Sequence, residues 1–307
     1  MSERRGLLAV LVALLVLFGV LSDHFLTRVT LVTLANQIPA LVVIATGMTF
    51  VLVVGGIDLS VGSVLALSSA LLGSALTSWG WPLIAAVPVA LGAGLVAGAA
   101  NGIVTVKWGI PSFIVTLGML EVARGAAYLV TGSQTKYIGG AIERLTTPIV
   151  GGLGAPFFLA VVVVAAAQFV LIRTVYGRHL IAVGANETAA WLSGVPPGPV
   201  RVMAFTASGL LSAVAAVSQC ARLAAADPNA GIGLELQAIA AVVIGGTSLM
   251  GGRGSVVTTM LGVLIIAVLA AGLAQLGVQE PTRRLVTGSV IVAAAIVDYY
   301  RTRVTRV

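Results

Sequence analysis

Apolar residues in this chain come in long unbroken runs, and polar residues collect in the gaps between them. Runs near residues 6–22, 36–55, 61–78, 82–106, 110–131, 155–174, 199–221, 236–250, 255–275 and 284–300 stand out. A helix needs about 20 mostly apolar residues, at ~1.5 Å each, to cross ~30 Å of hydrocarbon. Inside lipid every backbone polar group must be satisfied internally, which a helix does by itself. The predicted fold is therefore an all-α polytopic membrane protein, with about ten transmembrane helices in a single domain over 1–307. The run 236–250 is short and ends in glycines, so it reads either as a span or as a re-entrant segment. The run 82–106 is long enough to tilt or to contain a break, and Pro88 offers one.

Composition agrees with the pattern. Hydrophobic residues make up 59% of the 307 and charged residues only 9%, too few to cover a soluble surface. The mean hydropathy is +1.10. A net charge of +7 is compatible with nucleic-acid binding, but the basic residues sit singly or in pairs at the ends of apolar runs, not in a patch. No nucleic-acid partner is expected; the lipid bilayer is. With the N-terminus inside, Arg4, Arg5, Lys107, Arg173, Arg178, Arg201, Arg253, Arg301, Arg303 and Arg306 fall on the inner side. Arg28, Lys136, Arg144, Arg222, Arg283 and Arg284 fall on the outer side, and this bias predicts both termini cytoplasmic. Arg4-Arg5 before Gly6–Leu21 also has the form of a signal peptide, but nine further apolar runs favour a retained first helix.

A few polar positions within the apolar framework need a reason. Asp58 and Ser60 lie in Gly55-Gly56-Ile57-Asp58-Leu59-Ser60, between two runs. They read either as the cap of a helix–turn–helix corner or as a broken helix beside a transport path. Glu121 and Arg124 share one helical face, three residues apart, and are expected to pair, as a structural clamp or as path lining. Gly94 and Gly98 form a GxxxG ahead of Asn101-Gly102, which reads as close helix packing. Val53-Val54-Gly55-Gly56 and Val243-Ile244-Gly245-Gly246 give a faint internal repeat. The single cysteine, Cys220, reads as a small packing residue.

The longest polar interval, about 175–198, is expected on the cytoplasmic side. Within it, Asn186 suits an N-cap, Glu187 suits the positive end of a helix dipole, and Gly194 followed by Pro196-Pro197-Gly198-Pro199 stops the helix. A short, firmly ended helix offering Trp191 and Leu192 reads as a surface to be gripped by a partner, or as an interfacial helix. No catalytic constellation is present. Lys107 and Lys136 lack the glycine that precedes the lysine of a P-loop, and His24 and His179 are isolated, without metal-ligand spacing. Any ATP energy must come from another chain.

Several stretches together resemble the permeases of ribose-type ABC importers. They are Gly47-Met48-Thr49, Gly56-Ile57-Asp58-Leu59-Ser60-Val61-Gly62-Ser63, Asn101-Gly102, Ile110-Pro111-Ser112-Phe113-Ile114-Val115-Thr116-Leu117-Gly118, Arg124-Gly125, Gly184–Val195, Ala224–Glu235 and Ala238–Gly252. The resemblance implies a type II-like importer bundle in the bacterial cytoplasmic (inner) membrane. It further implies a dimer with a second permease copy or paralogue, and two ABC ATPase subunits that bind ATP and Mg, this chain itself holding no cofactor. An extracytoplasmic sugar-binding protein would deliver a small, ribose-like sugar. The alternative is a self-sufficient secondary transporter or channel.

By the same resemblance, Gly184, Asn186, Glu187, Ala189, Trp191, Leu192, Ser193 and Gly194 form the ATPase-docking segment. The translocation-path or gating candidates are Asp58, Ser60, Asn101, Glu121 and Arg124. The chain departs from the family pattern at Gln237, where an acidic residue is usual, at Thr287-Gly288, where Lys-Gly is usual, and at Arg283-Arg284 beside Pro281.

Overall fold

The computed structural model describes residues 2–304, so Arg306, counted above to the inner side, lies outside the described residues. The helices are α1 (Ser2–Leu21), α2 (Arg28–Gln37), α3 (Pro39–Val53), α4 (Val61–Thr77), α5 (Leu83–Trp108), α6 (Ser112–Thr131), α7 (Gly140–Glu143), α8 (Ala155–Arg173), α9 (Val175–Ala185), α10 (Glu187–Leu192), α11 (Pro197–Leu223), α12 (Leu234–Ile244), α13 (Val256–Gln275) and α14 (Glu280–Val304). Two short strands, β1 (Lys136–Tyr137) and β2 (Ala225–Ala226), pair antiparallel, with Lys136 opposite Ala226.

Each of the ten apolar runs is helical, but ten full crossings do not follow from this. Among the described residues, six helices are long and apolar enough to span: α1 from Arg4, α5, α6, α8, α11 and α13. The pair α2–α3, bent by 45°, makes a seventh if counted as one span. Helix α12 has 11 residues, ~16 Å, about half the hydrocarbon thickness.

Three local expectations need correction. Helix α5 runs unbroken through Pro88 over 26 residues. The prolines after Gly194 do more than stop α10, because Pro197 occupies the first turn of α11, where a missing N–H costs nothing. Helices α2 and α9 lie where loops were expected; each begins at a threonine whose hydroxyl accepts a backbone N–H, Thr27 from Thr30 and Thr174 from Gly177.

Helix α3 is the centre of the bundle. Every residue in it except Ala40 is buried, as suits a helix that is apolar on all sides. It packs against α8, α11, α12 and α13. The tightest seam joins α5 to α11. A side chain at Gly94 would overlap the Gly209 carbonyl, one at Gly98 the Phe205 carbonyl, and one at Gly102 the Val202 backbone. The glycine spacing therefore does what the sequence suggested: it lets two backbones touch.

Helices α3 and α12 end in matching corners. Gly55 takes φ +81°, its N–H donating to the Leu52 carbonyl (2.9 Å) while Gly56 N–H donates to Val51 (2.8 Å). Gly246 takes φ +82°, its N–H donating to Val243 (2.8 Å) while Thr247 N–H donates to Val242 (3.1 Å). Both are left-handed glycine caps that close the orphan carbonyls of the last turn. The faint repeat is real as a corner, but its register is Gly55 with Gly246, one residue from the pairing of Gly55 with Gly245 suggested by the paired glycines. Gly252 N–H donates to the Val53 carbonyl (2.8 Å) and so ties the segment after one corner to the end of the other helix.

Candidate functional site

Helix α10 is built as the sequence predicts. The Asn186 side chain accepts the Ala189 N–H at 2.9 Å, which caps the N-terminus. At the other end Gly194 takes φ +85°, with Gly194 N–H on the Trp191 carbonyl (2.9 Å) and Val195 N–H on the Ala190 carbonyl (3.0 Å). These two bonds make a Schellman cap, and Ala190 and Val195 both join the main hydrophobic core. The Ser193 hydroxyl donates to the Ala189 carbonyl at 2.8 Å. Glu187 pairs with Arg201 of α11 at 2.8 Å, so the helix is pinned at its start by an ion pair and at its end by packing.

This anchoring leaves a large apolar face uncovered. Trp191 is 65% and Leu192 72% exposed, although each would lose unfavourable hydration if covered. Gly184, placed in the same segment by the sequence, has a different position. It lies against the Val53 carbonyl and Gly252 N, with no room for a Cβ, and forms a seam with the corners of α3 and α12.

The Asp58 segment is a second constellation, and it is closed. Asp58 is 1% exposed. Its Oδ1 accepts the Ser60 hydroxyl (2.6 Å) and the Ser60 N–H (3.0 Å), and its Oδ2 accepts the Ser208 hydroxyl of α11 (2.9 Å). The Asn101 amide of α5 donates to the Ser60 hydroxyl at 2.9 Å. Three of the sequence candidates, Asp58, Ser60 and Asn101, are thus one buried cluster joining the α3–α4 corner to α5 and α11. Ser60 does not cap α4 with its own side chain; Asp58 instead holds the backbone of this N-cap residue. Helix α6 completes the clamp, with Ser112 Oγ accepting the Ile57 N–H (3.0 Å) and Thr116 Oγ1 the Leu59 N–H (3.1 Å).

The expected Glu121–Arg124 pair is not formed. Arg124 donates to the carbonyls of Pro228 (2.6 Å) and Ala230 (2.8 Å), while Glu121 is exposed on the outer side of α6. The Tyr128 hydroxyl donates to Asn229 Oδ1 at 2.6 Å, so α6 grips the loop before α12 from two successive turns. Carbonyl oxygens spare Arg124 an unpaired charge, and they win because the loop brings two of them to one nitrogen. Spacing of i to i+3 shows which side chains can meet, but not that a distant loop will arrive first.

Ser112 and Thr116 enter the sequence reading only as part of the Ile110–Gly118 stretch, with no role of their own, and Ser208 does not enter it. Their signal was faint: single hydroxyls within apolar helices, which form hydrogen bonds only once the partner segment is in place. Gln168 is similar, its Oε1 accepting the Val257 N–H (3.2 Å) at the start of α13.

A family described as "Branched-chain amino acid transport system / permease component" matches residues 30–295. The chain is 36% identical over 303 residues to the ribose import permease protein of Haemophilus influenzae, covering 97% of this chain and 93% of that one. It is 39% identical over 302 residues to the ribose import permease protein of Bacillus subtilis, covering 96% and 92%. It is 33% identical over 305 residues to the fructose import permease protein of Rhizobium meliloti, covering 95% and 84%. With nearly the whole bundle matched from α2 to α14, the chain belongs to this family of membrane transport-system permease components, of which the ribose import permeases are similar members.

Proposed function

We propose that this chain is the permease subunit of an ATP-binding-cassette importer and forms the path of a small, ribose-like sugar across the bacterial cytoplasmic membrane. The observation that carries the reading is the nearly end-to-end similarity to import permeases named for ribose and fructose. A separate ATPase binds ATP and Mg, and an extracytoplasmic binding protein delivers the sugar to a dimer of permeases. About ten helices enter the bilayer, and α12 enters without crossing, since ~16 Å of helix followed by the Gly246 corner turns back midway. Both termini are cytoplasmic.

Helix α10 is the ATPase-docking element. Its capped ends and exposed Trp191 and Leu192 suit a rigid knob entering an apolar cleft. Asn186, Glu187, Ala189, Ser193 and Gly194 shape and aim it, and Gly184 connects it to the bundle. The Asp58, Ser60 and Asn101 cluster acts as a gating joint rather than a wall of the path. Exposed Glu121 faces the path or the second permease, because an isolated carboxylate facing lipid would be costly.

Co-purification with the ATPase, followed by sugar uptake in proteoliposomes, tests this reading. ATP-dependent uptake that requires both the ATPase and the binding protein is expected. Uptake by the permease alone, driven by an ion gradient, would make it a secondary transporter instead.

A further inference from the structure

The end of the bundle away from α10 contains a cavity of about 590 Å³. It lies among the α2–α3 bend, the last turns of α11, the start of α12, the second half of α13 and the first turn of α14. Helix α11 spans the distance between the two ends: Gln219 stands about 22 residues beyond Pro197, or ~33 Å, close to a hydrocarbon thickness. Whatever side α10 occupies, the cavity therefore opens toward the other.

The lining combines two chemistries. Leu41, Ile266 and Ala270 supply apolar surface, while Gln37, Gln219, Arg222, Gln237 and Arg283 supply polar groups. Among the described residues, the three glutamine side chains and the Arg222 guanidinium make no hydrogen bond or ion pair. Arg283 pairs with Glu280 at 2.6 Å, yet its Nε is buried without a partner among the described residues. The hydrogen bond from Arg284 and the charge of Arg283 hold the Glu280 carboxyl below its ordinary range. Gln37, Arg222 and Gln237 are exposed to the cavity and Gln219 is half-buried, so their hydrogen-bonding groups are open to a ligand.

We infer that this cavity is a monosaccharide-binding vestibule within each copy of the permease, and that Gln219, Gln237 and Arg222 are its specificity-determining residues. An amide offers both a donor and an acceptor, as a sugar hydroxyl does, and a guanidinium adds donors for hydroxyl or ring oxygen. The apolar floor suits the C–H face of a sugar ring. The volume falls within the ~300–1,000 Å³ common for small-molecule sites. Arg283 is already paired with Glu280, so among the described residues of the lining Arg222 is the guanidinium left free to donate to a ligand. The inference rests on the importer reading for its biological sense, but its geometry stands on this chain alone.

The test uses the full-length permease in lipid nanodiscs, without ATPase or binding protein. Saturation-transfer NMR is recorded with D-ribose, D-fructose and L-arabinose, each presented separately. Contact with at least one sugar is expected, absent from empty nanodiscs. Gln219→Met and Gln237→Met keep side-chain length and volume, and each should weaken the contact about fivefold by removing one neutral hydrogen-bonding group. Gln237→Glu should change the order in which the three sugars bind. Monodisperse elution of each variant shows that the bundle is intact. No sugar contact with the unmodified chain would overturn the inference, and so would equal contact after both methionine substitutions. If ATP-driven uptake proceeds while no sugar contact is found, the vestibule fails and the importer reading survives. If contact is found while no ATPase associates, the reverse holds.

Discussion

Glu187, the first residue of α10, is held by Arg201, in the second turn of α11, at 2.8 Å. Both side chains are partly exposed, so the pair adds at most about 1 kcal/mol to stability. Its value is geometric, since it sets the angle at which α10 leaves the bundle. Glu187→Gln should therefore insert and fold normally, and still bind the ATPase, but give fewer sugars imported per ATP hydrolysed. Exchanging the charges, Glu187→Arg with Arg201→Glu, should restore much of the ratio, as measured by parallel uptake and phosphate-release assays.

Trp191 supplies the largest exposed apolar surface on α10. Trp191→Ala should weaken ATPase association by ~2 kcal/mol or more, roughly 30-fold, with membrane insertion unchanged. Retention of the ATPase through size-exclusion chromatography at low concentration measures this. A variant with unaltered retention and uptake would remove α10 from the docking role.

Charge exchange across Glu121 and Arg124 separates the observed geometry from the pairing that spacing suggests. Arg124→Glu should destabilise the permease by about 2 kcal/mol or more, because it places a carboxylate against the Pro228 and Ala230 carbonyls. Glu121→Arg alone should be milder. Joining the two should give no rescue, so that the effects add in thermal unfolding of the detergent-solubilised protein.

Asp58→Ala should be more damaging than its size suggests. It leaves the Ser60 and Ser208 hydroxyls and the Ser60 N–H without their acceptor in a buried setting, at a cost of about 2–4 kcal/mol. Asp58→Asn keeps the shape and one acceptor and should fall between the two. The midpoint of heat unfolding orders the three proteins.

Topology has a direct check. Single cysteines at Ala189 and Tyr137, in a Cys220→Ala background, should be labelled by an impermeant maleimide from opposite faces of sealed vesicles. Labelling from the same face would overturn the arrangement with both ends of α11 at opposite surfaces.

Much of the helical fold could be read from the sequence because lipid imposes one rule on every span, and long apolar runs obey it visibly. The ends of α10 were equally legible, since Asn186 and Gly194 act through bonds within a few residues of themselves. What could not be read depended on distant partners. The Arg124 side chain answers to carbonyls more than 100 residues away, and nothing near it in the chain announces them. The same holds for Ser208, one hydroxyl among many in α11 until Asp58 is set beside it. Helix α2 lies largely outside the apolar runs because it is only ten residues long and mixes polar with apolar positions, so neither its length nor its composition marks a span. The two departures at Gln237 and Arg283 were visible as oddities, but their shared cavity required the fold.

The contact of Gly184 with Val53 and Gly252 has a mechanical consequence. Helix α9 leads straight into α10, and at its last turn it lies directly on the corner of α3 and on the segment that follows the corner of α12, with no side chain to cushion the contact. Backbone meeting backbone is stiff, so a push on α10 is not absorbed locally as rotamer changes would absorb it. It arrives at both glycine corners together, through the Gly252–Val53 hydrogen bond that couples them. Helix α10 is in this sense the handle of a lever with a double fulcrum, and a displacement of it should turn the two interrupted helices in step.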